Sequence, residues 1–231
     1  MTPLSRNAPA RPSLKVEMTE NRRLALFGAS GGTGVHLIPL LLERGFEVRA
    51  MVRDRSSISL QHERLEIVQG DLLDPAATRQ TIAGTDAVIS LAGPRKLGPT
   101  QIYSEGGRSL IAGMRSSGVK RGVFVTALGT SKDFRMPPVL GFLARNVVGW
   151  VLRHGWRDGA RFEAELARTD LDWTVLRPPA LNHLAPRGRY RRGIAEHLRS
   201  PFRLSRADLA RAVLDQLDDP ATVRKWIEVA W

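Results

Sequence analysis

The stretch Arg23-Leu24-Ala25-Leu26-Phe27-Gly28-Ala29-Ser30-Gly31-Gly32-Thr33-Gly34 constrains this chain more than any other. An apolar run of strand length ends in a glycine-rich turn, and the turn opens into Val35-His36-Leu37-Ile38, which reads as a helix. Gly28, Gly31 and Gly34 stand at G-x-x-G-x-x-G spacing. Gly28 lets the chain turn sharply out of a strand. Gly31 removes a Cβ where a phosphate must approach the backbone, and Gly34 lets the helix press close to the sheet. The free N–H groups at the helix start, helped by the helix dipole, then face an anion. The plainer account is a turn that binds nothing. A strand before it and a helix after it are the context that favours phosphate.

Strand and helix patterns alternate from that point on. Arg23 to Phe27, Glu47 to Arg53, Leu65 to Val68, Ala87 to Leu91, Val123 to Thr126 and Trp173 to Leu176 read as strands. Val35 to Arg44, Ala76 to Ile82, Tyr103 to Ser117 and Arg161 to Arg168 read as helices between them, the first carrying Pro39 and stopping at Gly45. A last helix begins at Ser205, with Asp208 placed for a capping box, and Lys225 to Trp231 reads as an edge strand. The alternation predicts an α/β fold of the Rossmann type, a doubly wound parallel sheet in a single domain. With 231 residues the chain suits one such domain and is short for two.

Residues 1–21, with Pro3, Pro9 and Pro12 and no apolar period, are expected to form a disordered tail, and Met18 is a candidate true start. The tail has no apolar core of a secretory signal; a short targeting tail is the lesser reading. The domain then covers 22–231, with substrate-side segments around 130–160 and 180–205. No cysteine occurs, which excludes disulfides, thiolate metal sites and a cysteine nucleophile. No metal ligand set is expected either. The formal charge of +12 favours anionic ligands. No helix-turn-helix, zinc or RNA-binding signature accompanies it, so specific nucleic-acid binding is not expected.

In a doubly wound sheet the ligand lies at the carboxyl ends of the strands, so those ends hold the candidate residues. The first end offers Gly28, Ser30, Gly31, Gly32, Thr33 and Gly34. After the second strand stand Arg53, Asp54 and Arg55. Asp54 is placed for the ribose hydroxyls of NAD, but Arg53 comes first and can grip a 2′-phosphate, which favours NADP(H) while leaving NAD(H) open. A solvated turn is the alternative. Asp71 and Leu72 offer a carboxylate and an N–H to an adenine edge, unless Asp71 merely caps its own turn. Ala92 and Gly93 are small enough for a dinucleotide to lie across them. Thr126 is the one side chain put forward for catalysis, near the nicotinamide end; an ordinary strand-end threonine bonding backbone is the alternative. Pro178 and Pro179 end the sixth strand there.

Together Gly28–Gly34, Val52-Arg53-Asp54, Gly70-Asp71 and Leu171-Asp172-Trp173-Thr174-Val175-Leu176-Arg177-Pro178 resemble the NmrA-like, NAD(P)H-binding group of atypical short-chain dehydrogenases/reductases. Tyr103-Ser104-Glu105-Gly106-Gly107-Arg108 is similar to the matching helix of its biliverdin reductase B, or flavin reductase, branch. The resemblance implies a Rossmann fold and a nicotinamide dinucleotide, usually NADP. It implies reductases, isomerases or cofactor-sensing regulators. The Tyr-x-x-x-Lys pair of the wider superfamily is absent, since Gly107 stands four positions after Tyr103.

Between Met136 and Trp156 runs an apolar stretch too short and broken to span a membrane. It reads as a roof over the nicotinamide end, a surface helix for a membrane or partner, or a core helix. Glu163 and Glu165 point to different helix faces and are both expected in solvent, with one entering the pocket as a weak acid as the lesser reading; Arg187, Arg189, Arg191 and Arg192 are expected in a solvated hairpin rather than an anion site. The leading expectation is a cytoplasmic NADPH-dependent reductase of a flat or apolar conjugated small molecule, such as a flavin, quinone or carbonyl compound. A non-catalytic NAD(P)H sensor that binds a partner is the alternative, and an isomerase or epimerase the weaker third. The oligomeric state is left open.

Overall fold

Strands that are apolar on both faces need helices above and below them, and the chain supplies both layers. The computed structural model describes residues 22–130 and 149–231. The expected tail over 1–21, and residues 131–148 of the expected substrate side, lie outside the described residues.

The elements run β1 (Arg23–Phe27), α1 (Gly34–Glu43), β2 (Glu47–Val52), β3 (Leu65–Gln69), α2 (Pro75–Ile82), β4 (Ala87–Ser90), α3 (Ser104–Ser116) and β5 (Arg121–Val125). Then follow α4 (Gly149–Leu166), β6 (Asp172–Arg177), β7 (Ala180–Asn182), β8 (Arg191–Ile194), β9 (Arg203–Ser205), α5 (Arg206–Leu217) and β10 (Lys225–Ala230). Eight strands form one sheet in the order β3-β2-β1-β4-β5-β6-β10-β8. Every pairing is parallel except β10 with β8. The order reverses between β1 and β4, which is the switch point where such sheets take ligands. β7 and β9 pair separately, in parallel.

Helices α1 and α5 cover one face through Leu37, Ile38 and Leu41 against Leu209, Val213 and Leu214. Helices α2, α3 and α4 cover the other through Ile82, Leu110, Met114, Phe162 and Leu166. Pro39 falls on the exposed side of α1, where the bond it cannot donate faces water. Contact between α3 and α4 is close because Gly107 has no side chain: a Cβ there would lie 2.6 Å from Phe162 Cε2. Phe162 in turn meets Phe124 of β5 edge-on, with ring centroids 5.4 Å apart.

Two expectations are corrected. Lys225 to Ala230 is no edge strand: β10 lies between β6 and β8, and Ile227 to Ala230 are buried. Its alternation of charge misleads because Glu228, fully buried, accepts from the Leu198 N–H at 2.7 Å and bonds His197 at 2.6 Å. The edge is β8 instead. It carries part of the basic cluster, and those arginines are committed locally: Arg192 pairs with Asp219 at 2.6 Å and Arg191 donates to the Trp231 carbonyl at 2.7 Å. Helix α4 also begins earlier than the expected Arg161 and takes in Trp150 to Trp156.

Both ends of α5 are pinned. Arg121 donates to the carbonyls of Leu217, at 2.9 Å, and Gln216 at its C-terminus. At its N-terminus Ser205 Oγ accepts from the Asp208 N–H at 3.0 Å. The buried Asp208 carboxylate accepts from the N–H groups of Arg187 and Gly188, the Ser205 hydroxyl and the Trp231 indole. Burial opposes its charge, but those bonds outweigh it and hold the carboxyl below its usual 3.8.

Two outcomes follow from this packing. Gly107→Ala gains about 1 kcal/mol of helix propensity but drives a methyl into the Phe162 ring, so urea unfolding should show a net loss of about 1–3 kcal/mol; a net gain would contradict the contact. A carboxyl depressed by folding stabilises the native state above its unfolded pKa, and that gain is lost as pH falls through the folded value. Asp208→Asn should therefore be less stable than the parent at neutral pH, with the gap narrowing below about pH 4, as read by melting temperature across a pH series.

Candidate functional site

The turn from β1 to α1 is built by backbone meeting backbone. Gly28 has φ +79°, and a Cβ on it would stand 2.7 Å from Leu91 C and 2.8 Å from Ala92 N, at the end of β4. A Cβ on Gly34 would collide with the Ala29 carbonyl and lie 2.6 Å from the Gly28 oxygen. Neither neighbour can yield, since both are main chain. Gly31 differs: its Cβ would meet only the Gly28 oxygen, at 3.1 Å, with open space beyond.

Helix α1 starts without a cap. Thr33 makes no side-chain cap bond, and no acid stands in the first turn. The N–H groups of Gly32, Thr33 and Gly34 have no acceptor among the described residues. Orphan amides at a positive helix end, on a glycine surface, fit a diphosphate. Two arginines approach the same turn. Arg95, after β4, donates to Ser30 Oγ at 3.3 Å. Arg206, the first residue of α5, lies over Gly32, where a Cβ would come 2.7 Å from its Cδ. Sequence reading missed both, because they arrive from strand ends far along the chain.

The remaining candidates take their places around this cradle. Arg53 is exposed at the end of β2, and its side chain has no partner among the described residues. Asp54 is turned to its own 3-10 turn: it accepts from the Ser56 N–H at 2.9 Å, and its bonds to Ser56 hold its carboxyl below the usual value. Asp71 likewise closes its own turn, taking the Leu73 N–H at 2.9 Å. The Leu72 N–H is left without an acceptor among the described residues, while its side chain packs against Gly106. Ala92 and Gly93 follow β4 in the loop that touches Gly28. Pro178 is buried, with its carbonyl taken by the Leu128 N–H at 2.9 Å, and Pro179 leads into β7.

Thr126 is buried at the end of β5, and its hydroxyl donates to Glu163 Oε1 at 2.7 Å. The proton is committed, so Thr126 can offer a ligand its lone pairs rather than its hydrogen. Glu163 corrects the expectation of a solvated acid. It points inward from α4, also bonds Thr130 at 2.9 Å, and forms a largely shielded ion pair with Arg177 of β6. Arg177 lies 4.5 Å from the Trp226 ring centroid, under β10. Period alone could not place Glu163, since the helix face it occupies is set by α4 starting near Gly149. Glu165, on the outer side, pairs with Arg108 at 2.9 Å.

Asp158 was also missed. It is buried on α4, yet it caps α3 by accepting from the Tyr103 N–H at 2.8 Å and the Ser104 hydroxyl at 2.5 Å. This fixes Tyr103 at the β4 end, where its hydroxyl lies 3.0 Å from the place of a Gly93 Cβ. Burial, then the carboxylates of Asp158 and Glu163, push the Tyr103 phenol well above its usual range, so it keeps its proton at neutral pH. The Trp156 ring covers Gly129, just beyond β5. An open groove of ≈ 670 Å³ between α2 and the end of α3 contains none of these residues.

Residues 28–220 match the sequence model described as NAD(P)H-binding. Uncharacterized protein YwnB of Bacillus subtilis is 28% identical over 209 residues, spanning 86% of this chain and 93% of that one. Cinnamoyl-CoA reductase 1 of Oryza sativa is 31% identical over 120 residues, 48% of this chain and 36% of that enzyme. Among solved structures, ChuY, an anaerobillin reductase from Escherichia coli, superposes with a TM-score of 0.74 at 22% identity, covering 90% of this chain and 96% of that one. A short-chain dehydrogenase/reductase from Veillonella parvula in complex with NADP superposes with a TM-score of 0.74 at 18% identity, covering 91% and 94%. At those identities the two structures share the fold.

Gly31→Asp puts a carboxylate into the open space before the orphan amides, its Cβ meeting only the Gly28 oxygen at 3.1 Å. It should cut dinucleotide affinity at least about ten-fold, or 1.4 kcal/mol, with an unchanged melting temperature. Calorimetry showing parental affinity would remove the turn from the site.

Proposed function

Because the chain belongs to the NAD(P)H-binding family, we propose that it is an atypical short-chain dehydrogenase/reductase of the NmrA-like group, an NADPH-dependent reductase of a flat or apolar conjugated acceptor such as a flavin, a quinone or a carbonyl compound. The observation that carries this is the uncapped start of α1, its amides free above a surface cleared of side chains.

In this proposal the amides of Gly32, Thr33 and Gly34, with Ser30, hold the diphosphate. Arg53 takes the 2′-phosphate as a fork, and Asp54, already engaged by Ser56, does not compete for it. Asp71 and the Leu72 N–H border the adenine. Ala92 and Gly93 let the dinucleotide pass flat over β4. Thr126, Pro178 and Pro179 frame the nicotinamide, with the Thr126 oxygen as an acceptor. When bound, the nicotinamide supplies the hydride. This chain's task is orientation: Glu163, held by Arg177, fixes the Thr126 rotor, and Trp156 gives the acceptor an aromatic wall. Tyr103 stands protonated at the same end. ChuY, with its named anaerobillin substrate, lends support to a flat conjugated acceptor. No helix of the described residues is long and apolar enough to cross a membrane, which is compatible with the cytoplasmic location that belongs to the same proposal.

Stopped-flow oxidation of NADPH against a panel of flavins, quinones and tetrapyrroles should reveal turnover with at least one. Tight binding with no turnover would assign the chain instead to cofactor sensing. Arg53→Ala should weaken NADPH by about ten-fold or more, the scale of a lost charge-assisted bond, and leave NADH nearly unchanged; equal losses would remove Arg53 from the 2′-phosphate.

A further inference from the structure

Arg206 is out of place as a structural arginine. Its stem lies flat on Gly32, with Cδ, Nε and Cζ at 2.7, 3.0 and 3.4 Å from where a Cβ would stand. Its Nε donates to His183 Nε2 at 3.3 Å, a long bond to a neutral acceptor. Its terminal nitrogens have no hydrogen-bond partner among the described residues, and no carboxylate there pairs with it. The acid in the first turn of its own helix, Asp208, is already committed to Arg187, Gly188, Ser205 and Trp231. A guanidinium left without an anion, half-buried against other groups, is unfavourable unless a ligand supplies one.

The fold puts it there by construction. β7 continues past the end of β6, and β9 pairs with it, with Asn182 opposite Ser205. Helix α5 therefore starts beyond the carboxyl ends of the main strands. Packed against α1 and pinned at both ends, it presents its first side chain to the neighbouring helix start.

We infer that Arg206 is a ligand of the diphosphate bridge of the bound dinucleotide, closing over Gly32 from α5 while the α1 amides hold the bridge from below. Gly32 is then a glycine for the sake of the arginine stem. This rests on the dinucleotide proposal above and adds to it a residue distant in sequence. Arg206 reads the bridge common to both pyridine nucleotides, whereas Arg53 reads the phosphate that distinguishes them.

Calorimetric titration of the full chain separates the outcomes. Arg206→Ala should lower affinity for NADPH and for NADH by the same factor, about ten- to a hundred-fold, and leave adenosine 2′-monophosphate, which lacks the bridge, unaffected. Gly32→Ala should weaken NADPH in the parent and add nothing in Arg206→Ala, because the residue it displaces is gone. Parental affinity in Arg206→Ala, a loss confined to NADPH, or additive losses in the double variant would each overturn the inference. If Gly31→Asp still abolishes binding in that case, the dinucleotide site stands without Arg206. A parent chain that binds neither nucleotide overturns both.

Discussion

Main-chain atoms of β1, the loop after β4 and the first turn of α1 crowd together around Gly28 and Gly34, and the rest of the structure depends on that approach. Any side chain at Gly34 meets the main-chain carbonyls of Ala29 and Gly28, the latter held by the Gly31 N–H at 3.0 Å. The helix can therefore lie close to the sheet only at this turn, and lying close is what brings its free amides to the strand ends. The same crowding binds stability to function. A substitution at Gly34 would disturb the seating of α1 and the anion cradle together, whereas Gly31 faces outward and can be changed with less effect on the fold.

Much of the scaffold was legible because local rules and the global fold agree. The apolar runs at β1, β4 and β5 read as buried parallel strands and are so placed, and the glycine spacing marked the turn at which α1 starts uncapped. Legibility failed where tertiary partners decide the meaning of a residue. Glu228 made β10 look amphipathic, but it is buried because His197 and the Leu198 N–H answer it. Glu163 looked like a surface acid, yet Arg177, eleven residues beyond the end of its helix, draws it inward. Arg206 drew no reading of its own between Ser205 and Asp208 of the capping box. Only the β7–β9 pairing, between segments with all of β8 in the chain between them, reveals that its side chain lands on Gly32.

The two ends of the candidate site obey different electrostatics. At the start of α1, Arg95, Arg206 and the helix amides lie together with no carboxylate of the described residues between them. At the β5 end, charge already has partners: Glu163 has Arg177, Thr126 and Thr130, and the Asp158 carboxylate accepts hydrogen bonds at the start of α3. Such an arrangement suits a ligand that carries its charge at one end and a neutral ring at the other. It also leaves protonated Tyr103 and the committed Thr126 as polar groups with fixed donor and acceptor senses.

The position of β10 carries a consequence for how the molecule is made. β6 cannot be covered on its far side until residues some fifty positions later have emerged, a loop closure that contributes an entropic barrier to folding. Arg177 lacks the indole above it until then, because Trp226 rides on that last-arriving strand. During synthesis the glycine turn and the loop after β4 thus emerge early, whereas Arg206 over Gly32 and the indole beside Arg177 both arrive only with the last segments of the chain.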